Sequence, residues 1–406
     1  MMRALTRPFL LFALCLSAGA AGAQALETTA GAAYVLDAGT GTVLLDKNAD
    51  QPLPPASMSK LMTIYMAFEA VADGRLRIDE ELPVSEHAAS FGGSSMFLDT
   101  TDRVSVEDLL RGVIVLSGND ASVVLAEALS PDGTEGGFAR MMTERARQMG
   151  MTNSTFANSS GWPAAGHLMS MRDLGTLADH LITDFPTFYP IFSETEFPFD
   201  GRVPSNTQNR NPILGLGIGA DGLKTGHTEE AGYGLVGSAQ QDGRRIIFVL
   251  TGMDTAAERR EESERVVNWA FRQFAQRDMA RAGTRIADVD VWMGALPQVG
   301  LTVAEDLSLL VPSLQQDGID AQAVFNTPVQ APIAAGEQLG ELVITLDGLP
   351  EKRVPLVADR DVPMGGFMPR MRTAAQVVMG KIVTPPAEDA PTSAPQVEDA
   401  EVTDPA

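Results

Sequence analysis

Strand-like runs stand at both ends of a long helix-patterned block in this 406-residue chain, so a single sheet must unite segments far apart in sequence. Residues 33–37 and 42–45 flank Ala38-Gly39-Thr40-Gly41 and read as a hairpin. Strand texture returns at 223–228, 233–239 and 245–251, the last two separated by Gln241-Asp242-Gly243. Between them, Pro54-Pro55 precedes an apolar helical pattern over 57–71. Ser105 with Asp108 three residues on opens a second helix that runs to Leu116. It breaks at Ser117-Gly118-Asn119-Asp120, and helical patterns resume at 121–129 and at 136–149, the latter stopped by Gly150. A long helix is expected over 256–276. The pattern predicts an α+β domain, an antiparallel sheet layered with helices, over residues 26–280.

Beyond Gly283 the texture changes to short strands at regular spacing, such as 288–293, 307–311 and 341–346, which predicts a small all-β domain over 283–363. In 365–383, Phe367, Met371, Ala374, Ala375, Val378 and Ile382 repeat at helical spacing beside Arg370, Arg372 and Lys381, the pattern of an amphipathic helix that binds a membrane surface. A helix packed on the β domain is the alternative. Residues 384–406 hold five prolines, six acidic residues and no basic one, a composition expected to be disordered.

The first 25 residues, with Arg3 ahead of an apolar run and small residues through Ala25, have the layout of a cleavable export signal. The run is too short to span a bilayer. The only cysteine, Cys15, lies within it, so the exported protein is expected to have neither thiol catalyst nor disulfide. A net charge of −23 with scattered cations argues against nucleic acid as a partner.

Three short motifs carry the chemistry. Ser57 and Lys60, three apart at a helix start, share a face, so the hydroxyl can meet the amine. Serine is a poor nucleophile until a base removes its proton, and a lysine kept neutral by desolvation or a neighbouring cation can be that base. Ser117-Gly118-Asn119 supplies a second hydroxyl and an amide at a helix break. Lys224-Thr225-Gly226 supplies a cation, a hydroxyl and a residue without a side chain on a strand, where a peptide backbone can lie against the edge. Each triplet alone is uninformative, but the chain has only five lysines and two fall in these motifs.

In this order the motifs are those of penicillin-binding proteins and class A β-lactamases. Their surroundings, together with Gly93-Ser94-Ser95-Met96-Phe97-Leu98 and Lys224-Thr225-Gly226-His227-Thr228, resemble the low-molecular-mass D-alanyl-D-alanine carboxypeptidases, serine peptidases with a β-lactamase/transpeptidase-like domain. Class A β-lactamases usually carry Asp where this chain has Gly118. The resemblance implies removal of the terminal D-Ala from peptidoglycan pentapeptides through an acyl-enzyme on Ser57, with β-lactams as covalent inhibitors. It implies that Lys60 is the base, kept neutral partly by Lys224, that Ser117 relays a proton to the leaving group, and that Asn119 holds the acyl amide. Backbone N–H groups of Ser57 and His227 would form the oxyanion hole, Lys224 and Thr225 would receive the terminal carboxylate, and Arg210 matches a family arginine near that subsite. It places the protein in the periplasm, on the outer face of the inner membrane if residues 365–383 bind it.

Other signals are poor. The GxGxxG match at 217–222 precedes a strand instead of opening a helix. HExxH and GxSxG are absent, and His87, His167, His180 and His227 are far apart, so neither metal nor other cofactor is expected. Two alternatives stay open: a D,D-endopeptidase cutting wall cross-links with the same motifs, and a non-catalytic wall-binding or β-lactam-sensing module, which would predict a damaged motif.

Overall fold

The structure, a computed structural model, describes residues 26–313, 319–346, 351–367, 371 and 397–399. The expected export signal, most of the 365–383 segment and most of the acidic tail lie outside them.

The first domain runs β1 (Ala32–Asp37), β2 (Thr42–Lys47), α1 (Lys60–Ala72), β3 (Glu81–Pro83), α2 (Glu86–Ala89), β4 (Arg103–Ser105), α3 (Val106–Arg111), α4 (Asn119–Leu129), α5 (Glu135–Gln148) and α6 (Met171–Asp184). It closes with β5 (Ala220–Thr228), β6 (Gly232–Gln241), β7 (Arg244–Met253) and α7 (Ala256–Gln273). The main sheet has the order β2-β1-β7-β6-β5, and every pairing in it is antiparallel. The hairpin at the start of the domain therefore docks on strands from its end, as the separated strand texture requires.

Strand periodicity decides which core each side chain enters. On β1, Ala32 and Tyr34 face the large core with α1, α4 and α6. Ala33 and Val35 face the opposite core under α7, with Phe248, Leu250, Val266 and Val267. The sheet is thus a middle layer, apolar on both faces. Its helices begin where side chains supply the missing acceptors: Ser105, Thr134, Ser170 and Thr255 each accept an N–H three residues on.

Three expectations differ from the observed elements. The helix expected from Ser57 begins as a 3₁₀ turn, Ala56–Ser59, before α1. The helix expected to run to Leu116 is α-helical only to Arg111 and widens into a π-helical turn, Gly112–Leu116. Met96 packs against this turn: a Cβ on Gly112 would lie 2.0 Å from its sulfur, so that side chain occupies the space a larger residue at 112 would need. The long helix expected to reach residue 276 stops at Gln273, and the chain passes directly into β8 (Phe274–Ala280). Cross-strand pairing with β11 (Leu307–Pro312) overrides helical propensity there. α6 lies in a stretch left without elements by the sequence reading.

The second domain continues with β9 (Arg285–Trp292), β10 (Gln298–Val303), β12 (Asp320–Phe325), β13 (Val329–Gln330), β14 (Gln338–Thr345) and β15 (Lys352–Ala358). These build a larger sheet around a core of their own that includes Val289, Leu301, Ile344 and Leu356. A short β16 (Val397–Asp399), in the tail expected to be disordered, pairs with β12.

At the domain junction, Arg244 Nε donates to Asp37 Oδ2 at 2.6 Å, and its Nη1 donates to the carbonyls of Ala270 and Phe274. Asp37 is fully buried and Arg244 nearly so. The pair fixes the sheet against the end of α7, and removing one partner strands a buried charge. Asp37→Ala is therefore expected to lose about 3–5 kcal/mol of stability, read as a lowered urea midpoint at unchanged slope.

Candidate active site

Four separate segments converge on the Ala56–Ser59 turn. One is α1, whose first residue is Lys60. Its amine is fully buried and lies 2.9 Å from Ser57 Oγ, 2.7 Å from Asn119 Oδ1 and 2.6 Å from the Ser160 carbonyl oxygen. Asn119 and Ser160 present oxygens that can only accept. A neutral amine has two hydrogens and one lone pair, so its hydrogens go to these two and its lone pair faces the Ser57 hydroxyl. Burial, then the positive charge of Arg210, holds the Lys60 ammonium down to about 7, against the opposing pull of Asp120 and Glu135.

The second segment is the break before α4. Ser117 caps the π-helical turn in the left-handed conformation, φ 62°, an uncommon one for a side-chain-bearing residue. Its hydroxyl accepts from Lys224 Nζ at 2.9 Å. Asn119 Nδ2 donates to the Gly92 carbonyl, and the next residue, Asp120, is buried. Asp120 accepts from Ser95 Oγ and from the N–H groups of Met96 and Leu98, which pins the 92–98 loop beside the motif.

The third is β5, the edge strand of the sheet. Lys224 is buried, and its ammonium is pushed well below the ordinary lysine range, first by burial and then by the charges of Lys60, Arg210 and Arg259. Gly226 has a second role besides the one expected from sequence. A Cβ there would lie 3.0 Å from both Met58 Cγ and the Pro55 carbonyl oxygen, so its bareness lets the strand approach the turn that carries Ser57. His227 is exposed, with its ring 3.8 Å from that of Tyr233. Tyr233 in turn carries the Arg259 guanidinium over its face.

The fourth is the loop at 158–162. Asn158 Oδ1 accepts from the N–H groups of Ser160 and Gly161, and Glu135 Oε1 accepts from the N–H and hydroxyl of Ser159. These bonds aim the Ser160 carbonyl at Lys60. Gly161 has φ 78°, and a Cβ on it would stand 1.9 Å from the Ala56 carbonyl oxygen.

The structure thus brings together two hydrogen-bonded groups, Lys60 with Ser57 and Asn119 and Lys224 with Ser117, with Thr225, Gly226 and His227 continuing along β5. Arg210 donates to Ser94 Oγ in the loop beside Asn119 and acts electrostatically on both lysines. Sequence reasoning assigned Lys224 the task of repelling charge from Lys60; the two lysines do act on each other, and Arg210 adds its charge to both. The sequence reading missed Arg259, Asp120, Glu135 and Ser160. Arg259 is buried with its Nε unpartnered and has no acidic neighbour contributing to its shift. Among the described residues no group of acidic, His or Cys side chains could hold a metal ion.

A serine held against a buried lysine whose pKa is pushed down to about 7, beside an edge strand, is an arrangement suited to a serine hydrolase. Residues 19–255 match the D-alanyl-D-alanine carboxypeptidase family model, and residues 274–364 match that of the penicillin-binding protein 5 C-terminal domain. The chain belongs to the D-alanyl-D-alanine carboxypeptidase family. It is 35% identical to D-alanyl-D-alanine carboxypeptidase DacC of Escherichia coli, with 89% of this chain and 91% of that one covered. It is 32% identical to DacF of Bacillus subtilis over 84% of this chain and 88% of that one. Penicillin-binding protein 5 from Haemophilus influenzae superposes with a TM-score of 0.75 at 34% identity, covering 83% of this chain and 98% of that one. Penicillin-binding protein D2 from Listeria monocytogenes, solved in an ampicillin-bound form, gives a TM-score of 0.55 at 33% identity over 61% of this chain and 99% of that one.

Gly161→Ala puts a side chain on a left-handed residue against the Ala56 carbonyl, which displaces the turn carrying Ser57. Ampicillin labelling of the folded variant is expected to slow by roughly a hundredfold or more, measured by intact mass against time.

Proposed function

We propose that this protein is a serine D-Ala-D-Ala carboxypeptidase that removes the terminal D-Ala from peptidoglycan pentapeptides through an acyl-enzyme on Ser57. The observation that carries the reading is the buried Lys60 amine, 2.9 Å from Ser57 Oγ and within hydrogen-bond distance of two oxygens that can take its hydrogens. Lys60 takes the hydroxyl proton as Ser57 attacks the carbonyl of the penultimate D-Ala. Backbone N–H groups of Ser57 and His227 serve as the oxyanion hole, where one donor is worth ~3 to 4 kcal/mol of barrier. The tetrahedral intermediate expels the amine of the terminal D-Ala, protonated through Ser117, which is hydrogen-bonded to Lys224. Water then cleaves the Ser57 ester, with Lys60 again taking a proton.

Because β5 is an edge strand, its outer side is free to hold the substrate backbone as an added strand. Lys224, Arg210 and Arg259 repel one another, and an arriving carboxylate relieves that repulsion. They are therefore assigned to the substrate terminus together with Thr225, while Asn119 orients the acyl amide.

One alanine released from a disaccharide pentapeptide, identified by mass, tests the reaction. A protein that cuts only cross-linked dimers would be an endopeptidase instead. Ser57→Ala is expected to abolish the ampicillin adduct. Lys60→Arg is expected to do nearly the same, since arginine stays protonated.

The lowered Lys60 value sets the sign of the pH dependence. The base is absent below its pKa, so acylation rises with pH through about 7 and is roughly tenfold below its plateau one unit lower. Arg210→Gln removes the cation that holds Lys60 down, so the midpoint of that profile moves upward. An unmoved midpoint would exclude Arg210 from this role.

We also assign the protein to the periplasm, with residues 365–383 resting on the outer face of the inner membrane. Phe367 and Met371 are well exposed, and three cations in this segment suit anionic lipid at about 1 kcal/mol each. Among the described residues no helix is long and apolar enough to cross a membrane. Mature protein is expected to float with anionic liposomes at low salt and to be released at high salt. A chain truncated before Gly365 should remain at the bottom of the gradient with its turnover intact.

A further inference from the structure

Glu135 and His87 take no part in the steps above, yet their contacts lead to both oxygens that receive the Lys60 hydrogens. Glu135 is the first residue of α5, where the amino end of a helix suits a negative charge, and its side chain is largely covered. Its Oε1 accepts from the Ser159 N–H and hydroxyl at 3.0 and 2.7 Å. Ser159 is held from its other side as well, because its carbonyl accepts from Thr63 Oγ1 at 2.7 Å. Thr63 stands about one turn along α1 from Lys60, and the next carbonyl, that of Ser160, meets the Lys60 amine itself.

The second carboxylate oxygen pairs with His87. A carboxylate only accepts, so His87 Nε2, 3.1 Å from Glu135 Oε2, carries the hydrogen. His87 lies on α2, half exposed to solvent, with its ring edge-on to that of Phe91 and the centroids 5.0 Å apart. Phe91 leads into Gly92, whose carbonyl accepts from Asn119 Nδ2, and Asn119 Oδ1 is the other oxygen against Lys60. The pair therefore closes a circuit of contacts around the base, through the 158–162 loop on one side and the 91–98 loop on the other.

Charge acts along the same circuit. Lys60 faces Arg210, Asp120 at the start of α4, Glu135 at the start of α5 and Lys224 on β5. His167, in the loop before α6, feels both Lys60 and Glu135, but burial keeps its ring neutral, its pKa lowered to about 4. Asp120 is enclosed by the donors of residues 95–98, whereas Glu135 is paired with an imidazole that solvent reaches. The other carboxylates near α2 are Glu86, beside His87, and Glu127 of α4, which accepts from Ser85 Oγ.

We propose that the His87–Glu135 pair positions the Lys60 base and governs how firmly it holds a proton: Glu135 aims the Ser160 carbonyl and opposes the charge of Arg210, and His87 is the adjustable counter-ion that carries conditions at the surface to an amine without solvent contact. A protonated imidazole offsets more of the Glu135 charge, so in acid Lys60 holds its own proton less firmly and more of the free base survives. The proposal rests on Lys60 as the base of the carboxypeptidase reading and names what tunes it.

Ampicillin acylation, followed by intact mass at pH values on both sides of 7, tests the pair. Glu135→Gln keeps an acceptor for Ser159 and removes the charge, so the midpoint of the profile should move down by roughly half a unit or more, the direction opposite to that of Arg210→Gln. On the acid limb this makes acylation about threefold faster. Glu135→Ala removes the acceptor as well, and its plateau should fall. His87→Lys, at an exposed position, keeps a donor to Glu135 and fixes a positive charge there, so it should move the midpoint in the same direction as Glu135→Gln. A midpoint that stays in place in both Glu135→Gln and His87→Lys, or moves upward, overturns the proposal, since a purely structural role for the pair would change the plateau alone. An unaltered protein whose acylation shows no rise through this range would instead overturn Lys60 as the base, the reading beneath it.

Discussion

A lysine amine with no solvent contact organises this molecule. Burying an ammonium without a counter-ion is costly, and Lys60 is met by two carbonyl-type oxygens and a hydroxyl with no carboxylate in contact. The neutral amine is the form that suits this environment. Each oxygen comes from a different part of the chain: the turn before α1, the start of α4, and the loop after α5. The group around Lys60 is therefore a point at which the whole helical layer must be correctly assembled.

Close approach of backbone makes that assembly possible. Gly226 admits the edge strand to the Ser57 turn, Gly161 admits the opposite loop to the same turn, and Gly93 admits the Trp162 ring beside Asn119. Carboxylates then lock the loops. Asp120 gathers three donors from residues 95–98, and Glu135 holds Ser159. Asp120 thereby fixes the loop beside Asn119, and Glu135 the segment whose Ser160 carbonyl faces Lys60.

Much of this was legible in the sequence. Ser57 and Lys60 are picked out by their spacing only in company with the other two motifs, and the strands around Lys224 by their apolar texture. What the sequence reading missed follows from its local nature. Arg259 lies on a polar-looking face of α7, and only the fold shows that face turned toward Tyr233 and the site. Ser160 acts through its backbone carbonyl, which no residue type signals. The end of α7 at Gln273 is decided by a strand pairing with Leu307–Pro312, a partner that no local window contains. The close packing of Met96 on Gly112 likewise comes from another segment.

The strand order also governs how the chain can reach its native state. β1 is a central strand whose second neighbour is β7, so Ala32–Asp37 find their full set of partners only once residues up to Met253 are available. Until then the amino-terminal hairpin presents an unpaired apolar edge, and α1 has no sheet to pack upon. Contacts of such long sequence separation make for slow folding. Ser57 and Lys60, both within the first sixty residues, therefore gain their full surroundings only when Lys224 and the strands around it, more than 150 residues further on, join the same sheet.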